Sequence, residues 1–111
     1  MENRIYVTNK GGHDFEAAKK LGVITPLTVG NINPIQVDRV LVGMMQELKD
    51  STKNDYLLLS GHQVAVAVAV AILISMHHRV NLLIYNKYTK DYNIRQITAK
   101  QIEDVLDSLE K

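Results

Sequence analysis

The feature that most restricts this chain is a run from Val64 to Met76 whose single polar member is Ser75. Within it, Val64, Ala65, Val66, Ala67, Val68, Ala69 and Val70 alternate large and small with the period of a strand. Three considerations assign the run to a helix instead. The stretch between His62 and His78 exceeds ordinary strand length, alanine is the strongest helix former, and a parallel sheet needs a crossover at this point. The expected helix covers Gln63 to Ser75. A helix that is apolar all round must be covered on both sides, either by a sheet plus another helix or by a second subunit, so a homodimer is expected. The run falls short of the roughly 20 residues that span a bilayer, and no membrane association is expected.

The segments on either side fix the kind of sheet. Arg4 to Thr8 is a short β-branched and aromatic run that stops at Asn9-Lys10-Gly11-Gly12, a cluster of turn formers. Asp14 is positioned to cap a short helix over residues 14–21, which Gly22 ends as a C′ glycine. Val23 to Val29 is extended, and Pro26, which cannot donate to a ladder, puts this strand at an edge or delays its start to Leu27. Asn33-Pro34 is a helix start, and Val37, Val40, Leu41, Met44, Met45 and Leu48 then share one face, predicted to cover a sheet, of a helix reaching about Lys49. Tyr56 to Leu59 is apolar on both sides of the pleat and belongs in the middle of a parallel sheet. Arg79 to Tyr85 contains another buried run, Val80-Asn81-Leu82-Leu83-Ile84. The polar join Asn86 to Asp91 makes a hairpin with Tyr92 to Ile97, an antiparallel edge strand. Thr98 and Gln101 have capping-box spacing ahead of a closing amphipathic helix that carries Ile102, Val105, Leu106 and Leu109 on one face.

The fold predicted from this order is a three-layer, Rossmann-like α/β domain over residues 1–111. Its sheet is five-stranded and mostly parallel, in order 2-1-3-4-5 with the last strand antiparallel. Length and composition agree with one globular core. A net charge of +1 is too small for bulk nucleic-acid binding through the phosphate backbone. The absence of cysteine excludes disulfides and thiolate metal sites, and with no export signal at Met1-Glu2-Asn3-Arg4 the expected location is the cytoplasm.

In a sheet of this order the winding reverses between the first and third strands, and ligands bind at the carboxyl ends of the strands there. The loop Thr8-Asn9-Lys10-Gly11-Gly12-His13 and the turn Ser60-Gly61-His62-Gln63 fall at that point, with Gly30-Asn31 and Asn86-Lys87-Tyr88 on the same rim. Glycines let a ligand approach backbone amides, Lys10 supplies a cation, and the start of a long helix favours an anion. No dinucleotide or P-loop fingerprint is present. His13 and His62 are candidate catalytic residues, as a proton-transfer pair or, with Asp14, as metal ligands, although no metal or other cofactor is expected. Plainer roles stand beside these. Gly11-Gly12 serves any turn, Asp14 any helix cap; His77 and His78 complement a helix C-terminus, and Tyr85, Tyr88 and Tyr92 are strand or hairpin residues.

At Ile5 to Phe15 the chain resembles small phage and mobile-element proteins. The same opening, with the second strand and the Leu59-Ser60-Gly61 turn, is similar to minimal CRISPR-associated Rossmann-fold domains, at motif level over residues 5–15 and 57–63. That resemblance implies a dimer binding cyclic oligoadenylates across a two-fold axis, in some members with cleavage. The leading expectation is a binding module for a nucleotide-like anionic ligand. The alternatives are a nucleotide phosphodiesterase using His13 and His62, and a phage-type interaction module that inhibits a host protein.

Overall fold

The computed structural model describes residues 2–8, 15–27, 36–61 and 63–110. Strands β1 (Arg4–Val7), β2 (Val23–Pro26), β3 (Tyr56–Leu58), β4 (Arg79–Asn86) and β5 (Asp91–Thr98) form one sheet in the order 2-1-3-4-5. Every neighbouring pair is parallel except β4 with β5, as expected from the sequence. A 3-10 helix (Glu16–Leu21) follows β1, and the α-helices are α1 (Val37–Leu48), α2 (Gln63–His77) and α3 (Ala99–Leu109).

Alternation along the central strands sends side chains to two separate cores. Tyr6, Leu57, Val80 and Leu82 face α1 and α2, where Met44, Leu48, Ala65, Val68, Ala69, Ile72 and Leu73 bury against them. Ile5, Val7, Leu58 and Leu83 face the other way, onto Phe15 and Ala18 of the segment containing the 3-10 helix. The valine-alanine tract is therefore helical, because only a helix can cover one face and still return the chain for a parallel β4. Its alanines divide the work. Ala65 and Ala69 let the helix approach the sheet closely, whereas Ala67 and Ala71 face outward, so coverage is by the sheet and α1 rather than all round.

Several local expectations are corrected. Gly22 is extended (φ 166°, ψ −166°) and does not form a left-handed cap. A β-carbon there would collide with the Asn3 carbonyl oxygen, which also accepts the Val23 amide at 2.9 Å, so the glycine permits close passage of β1 and β2. The second strand ends at Pro26, at the sheet edge, and does not begin at Leu27. Helix α1 starts at Val37 after a non-helical Gln36; Asn33 and Pro34 lie outside the described residues, as does Asp14, and the cap of the 3-10 helix is Phe15. On α1 only Met44 and Leu48 are buried and Val40 half-buried, leaving Val37, Leu41 and Met45 exposed. The apolar stripe is wider than the contact it makes.

The carboxyl end of α2 is closed by specific bonds. Ser51 Oγ lies 2.8 Å from His77 Nε2, and the amide of His78 donates to the Ile74 carbonyl at 2.8 Å. His78 is left-handed there, with φ 61°, a conformation that costs a residue with a β-carbon roughly 1–2 kcal/mol. His78→Gly is expected to raise the unfolding free energy by about 1 kcal/mol, after allowing for glycine's greater entropy loss. A higher Tm in a thermal melt checks this; an unchanged or lower Tm contradicts it.

Candidate functional site

Because β1 and β3 pair in parallel, with Val7 opposite Leu58, the chain leaves both strands at the same sheet edge. Thr8 ends β1 with its side chain turned inward, 3% exposed, and its hydroxyl donates to the Ser60 carbonyl at 2.6 Å. That bond ties the two loops expected to share a ligand. The Ser60 amide bonds back to the Leu58 carbonyl at 3.0 Å, a tight turn, and Leu59 donates to Leu83 of β4 at 3.0 Å. Gly61 then takes φ 106°, which only glycine adopts without strain, and its backbone is exposed where α2 begins at Gln63. The positive end of a 15-residue helix therefore stands over the point where the winding reverses.

Of the residues singled out in the sequence, Thr8, Ser60, Gly61 and Gln63 are brought together at this edge. Asn9, Lys10, Gly11, Gly12, His13, Gly30, Asn31 and His62 lie outside the described residues. Among the described residues no cluster of histidine and carboxylate side chains has the makings of a metal site. His77 sits at the opposite end of α2 with Ser51, in agreement with its having no part in the rim.

The β4–β5 hairpin adds more to the rim than the Asn86-Lys87-Tyr88 turn expected there. Pairing of β4 with β3 stops at Leu83, but the hairpin continues to Asn86 and Asp91 and so stands about 10 Å proud of the neighbouring strand ends. Asn86 builds the turn by accepting the amides of Tyr88 at 2.9 Å and Thr89 at 3.4 Å, while Lys90, with φ 56°, returns its amide to the Asn86 carbonyl at 2.8 Å. A cleft of about 520 Å³ is lined there by Tyr85, Asn86, Lys87, Tyr88 and Asn93. Tyr88 is 86% exposed with the Lys87 ammonium 5.3 Å from its ring centre, and Tyr85 is set edge-on to Tyr92 at 5.3 Å. Two accessible aromatic rings beside a lysine suit a planar, negatively charged ligand. The sequence did hold the signal: three tyrosines and two lysines within eight residues of a polar turn are more than a hairpin requires.

The hairpin is anchored to the body by Lys20, whose ammonium lies 2.8 Å from Asp91. Lys20, and then the Tyr92 amide, which donates to the same side chain at 2.8 Å, hold the Asp91 carboxyl below the usual carboxylate range. The contact is thus fully present at neutral pH and is lost as pH falls through that lowered value.

A family model described as phage Pam3 gp32-like protein matches residues 3–99. No curated protein and no solved structure matches the chain. The match takes in every strand and the first two α-helices. The chain belongs to the phage Pam3 gp32-like protein family.

Thr8→Val preserves shape but removes the donor that joins the two loops, and is expected to lower stability by about 1–2 kcal/mol because the Ser60 carbonyl loses a buried partner. Denaturant unfolding measures it, with Ser60→Ala near neutral as the control. Equal stability of Thr8→Val and the parent would mean that the bond does not hold the edge together.

Proposed function

We propose that this member of a phage protein family is a binding module for a nucleotide-like anionic ligand, held at the carboxyl rim of the parallel strands. The observation that carries the reading is the hydrogen bond from Thr8 to the Ser60 carbonyl, which holds the first and third strand ends together at the winding reversal. The positive end of α2 and the exposed backbone at Gly61 favour a phosphate. Tyr85 and Tyr88 offer faces for a base, and Lys87 adds charge on the same rim.

The finer form of the proposal is a homodimer that takes a cyclic oligonucleotide, in the manner of CRISPR-associated Rossmann-fold domains. Its support is the five-stranded, mostly parallel sheet and the glycine-containing turn into α2. A ring of linked nucleotides needs repeated base and phosphate contacts, which two copies of the rim supply.

A thermal-shift screen of mononucleotides, linear dinucleotides and cyclic oligoadenylates tests the reading. At 100-fold excess over Kd the bound state gains about 2.7 kcal/mol, equivalent to an upward Tm shift of about 10 °C in a domain of this size. Lys87→Glu, at an exposed turn position, is expected to abolish most of that shift while leaving the unliganded Tm unchanged. Absence of any shift across the panel, or a shift indifferent to Lys87→Glu, contradicts the proposal.

A further inference from the structure

Helix α3 is well made and poorly used. Its capping box is complete, with the Gln101 amide donating to Thr98 Oγ1 at 3.0 Å and the Thr98 amide to Gln101 Oε1 at 2.9 Å. Yet none of its residues is buried, and Ile102, Val105, Leu106 and Leu109 stand open, the last 75% exposed. A short isolated helix is marginal in water, so an amphipathic one left uncovered points to a missing surface. At 3.6 residues per turn, Glu103 and Glu110 border this apolar stripe, while Lys100 and Asp104 pair with each other on the far side. The surface that covers α3 must therefore be apolar with a cation beside it. Self-pairing of α3 fits poorly, since it would bring like-charged borders together.

The chain itself carries such a surface. Leu82 and Val80 of β4 lie under α2, and their partners across the hairpin, Arg95 and Ile97, point to the same face but beyond the reach of the helix. Ile97, Arg95 and Ile84 form an exposed strip of two branched apolar side chains around one guanidinium. Asp91, the acid of this hairpin, is engaged by Lys20, so Lys87, Lys90 and Arg95 leave the hairpin basic. The edge of β5 is a poorer target. Its backbone groups are occupied by side chains: Asp91 accepts from the Tyr92 amide, Arg95 donates to the Ile94 carbonyl at 2.8 Å, and Gln101 accepts from Thr98.

We propose that α3 docks on a second copy of this chain, its apolar stripe laid over Ile84 and Ile97 of the partner hairpin, with Glu103 and Glu110 beside that hairpin's cations. Because each copy owns both an acidic helix and a basic, apolar strip, the contact is reciprocal and closes as a two-fold dimer. The proposal does not rest on ligand binding at the rim, since it uses the helix face of β5, although a dimer so formed would supply the second copy that the cyclic-oligonucleotide form of the function requires.

Light scattering on the full chain at about 100 µM, above the range of dissociation constants of standard-sized interfaces, gives the test. The expected mass is twice the 12.5 kDa of one chain. Leu106→Glu on the helix and Arg95→Glu on the strand each replace an exposed residue, and each is expected to yield the single-chain mass with an unchanged circular dichroism spectrum. Reversing both helix acids, Glu103→Arg with Glu110→Arg, in the Arg95→Glu background is expected to restore the dimer. A parent protein that runs at the single-chain mass, or a dimer that survives both Leu106→Glu and Arg95→Glu, overturns the proposal.

Discussion

Strands β1 and β3 are buried on both faces and lie side by side in parallel, and most of the molecule follows from that arrangement. A parallel pair cannot be joined by a tight turn, so the chain must cross over a face to return. Crossovers to either side of β1 send the two exits apart at one edge of the sheet. What stops that edge from opening is local. The Thr8 hydroxyl, withdrawn from water, holds the Ser60 carbonyl, and Leu59 is held by β4. The rim is therefore built on strands buried on both faces, with the start of α2 directly behind it.

The architecture was legible because burial on two faces leaves a plain mark. Ile5-Tyr6-Val7, Leu57-Leu58 and Leu82-Leu83 carry no polar interruption, and the polar joins between such segments decide which connections are crossovers and which is the hairpin. The valine-alanine tract was decided by topology, since its alternation alone speaks for a strand. Contacts that depend on how far one element reaches over another were not legible. The stripes of α1 and α3 have the same periodicity as buried ones, but α1 buries Met44 and Leu48 alone and α3 buries nothing. Gly22 illustrates a second limit. A glycine after a short helix reads as a left-handed cap, whereas its real constraint is the Asn3 carbonyl, nineteen positions earlier at the start of the neighbouring strand, which no local pattern encodes.

The candidate site divides along the same line. Thr8, Ser60 and Gly61 were accessible from topology, because the position of a winding reversal follows from strand order. The tyrosine-lined cleft was not, because it depends on β4 and β5 outrunning β3, a matter of relative strand length. Uncovered apolar surface on the helix face of β5 has a different origin: Arg95 and Ile97 sit beside Leu82 and Val80, one strand beyond what α2 covers.

Amide chemical-shift mapping measures the central claim most directly, that the coupled ends of β1 and β3 are where this protein meets a nucleotide. Titration with the mononucleotide or cyclic oligoadenylate that gives the largest thermal shift should move the amides of Thr8, Ser60 and Gly61 together with Tyr85 to Tyr88. Saturable shifts confined to the opposite end of the sheet, around Ser51, His77 and Arg79, would contradict the account.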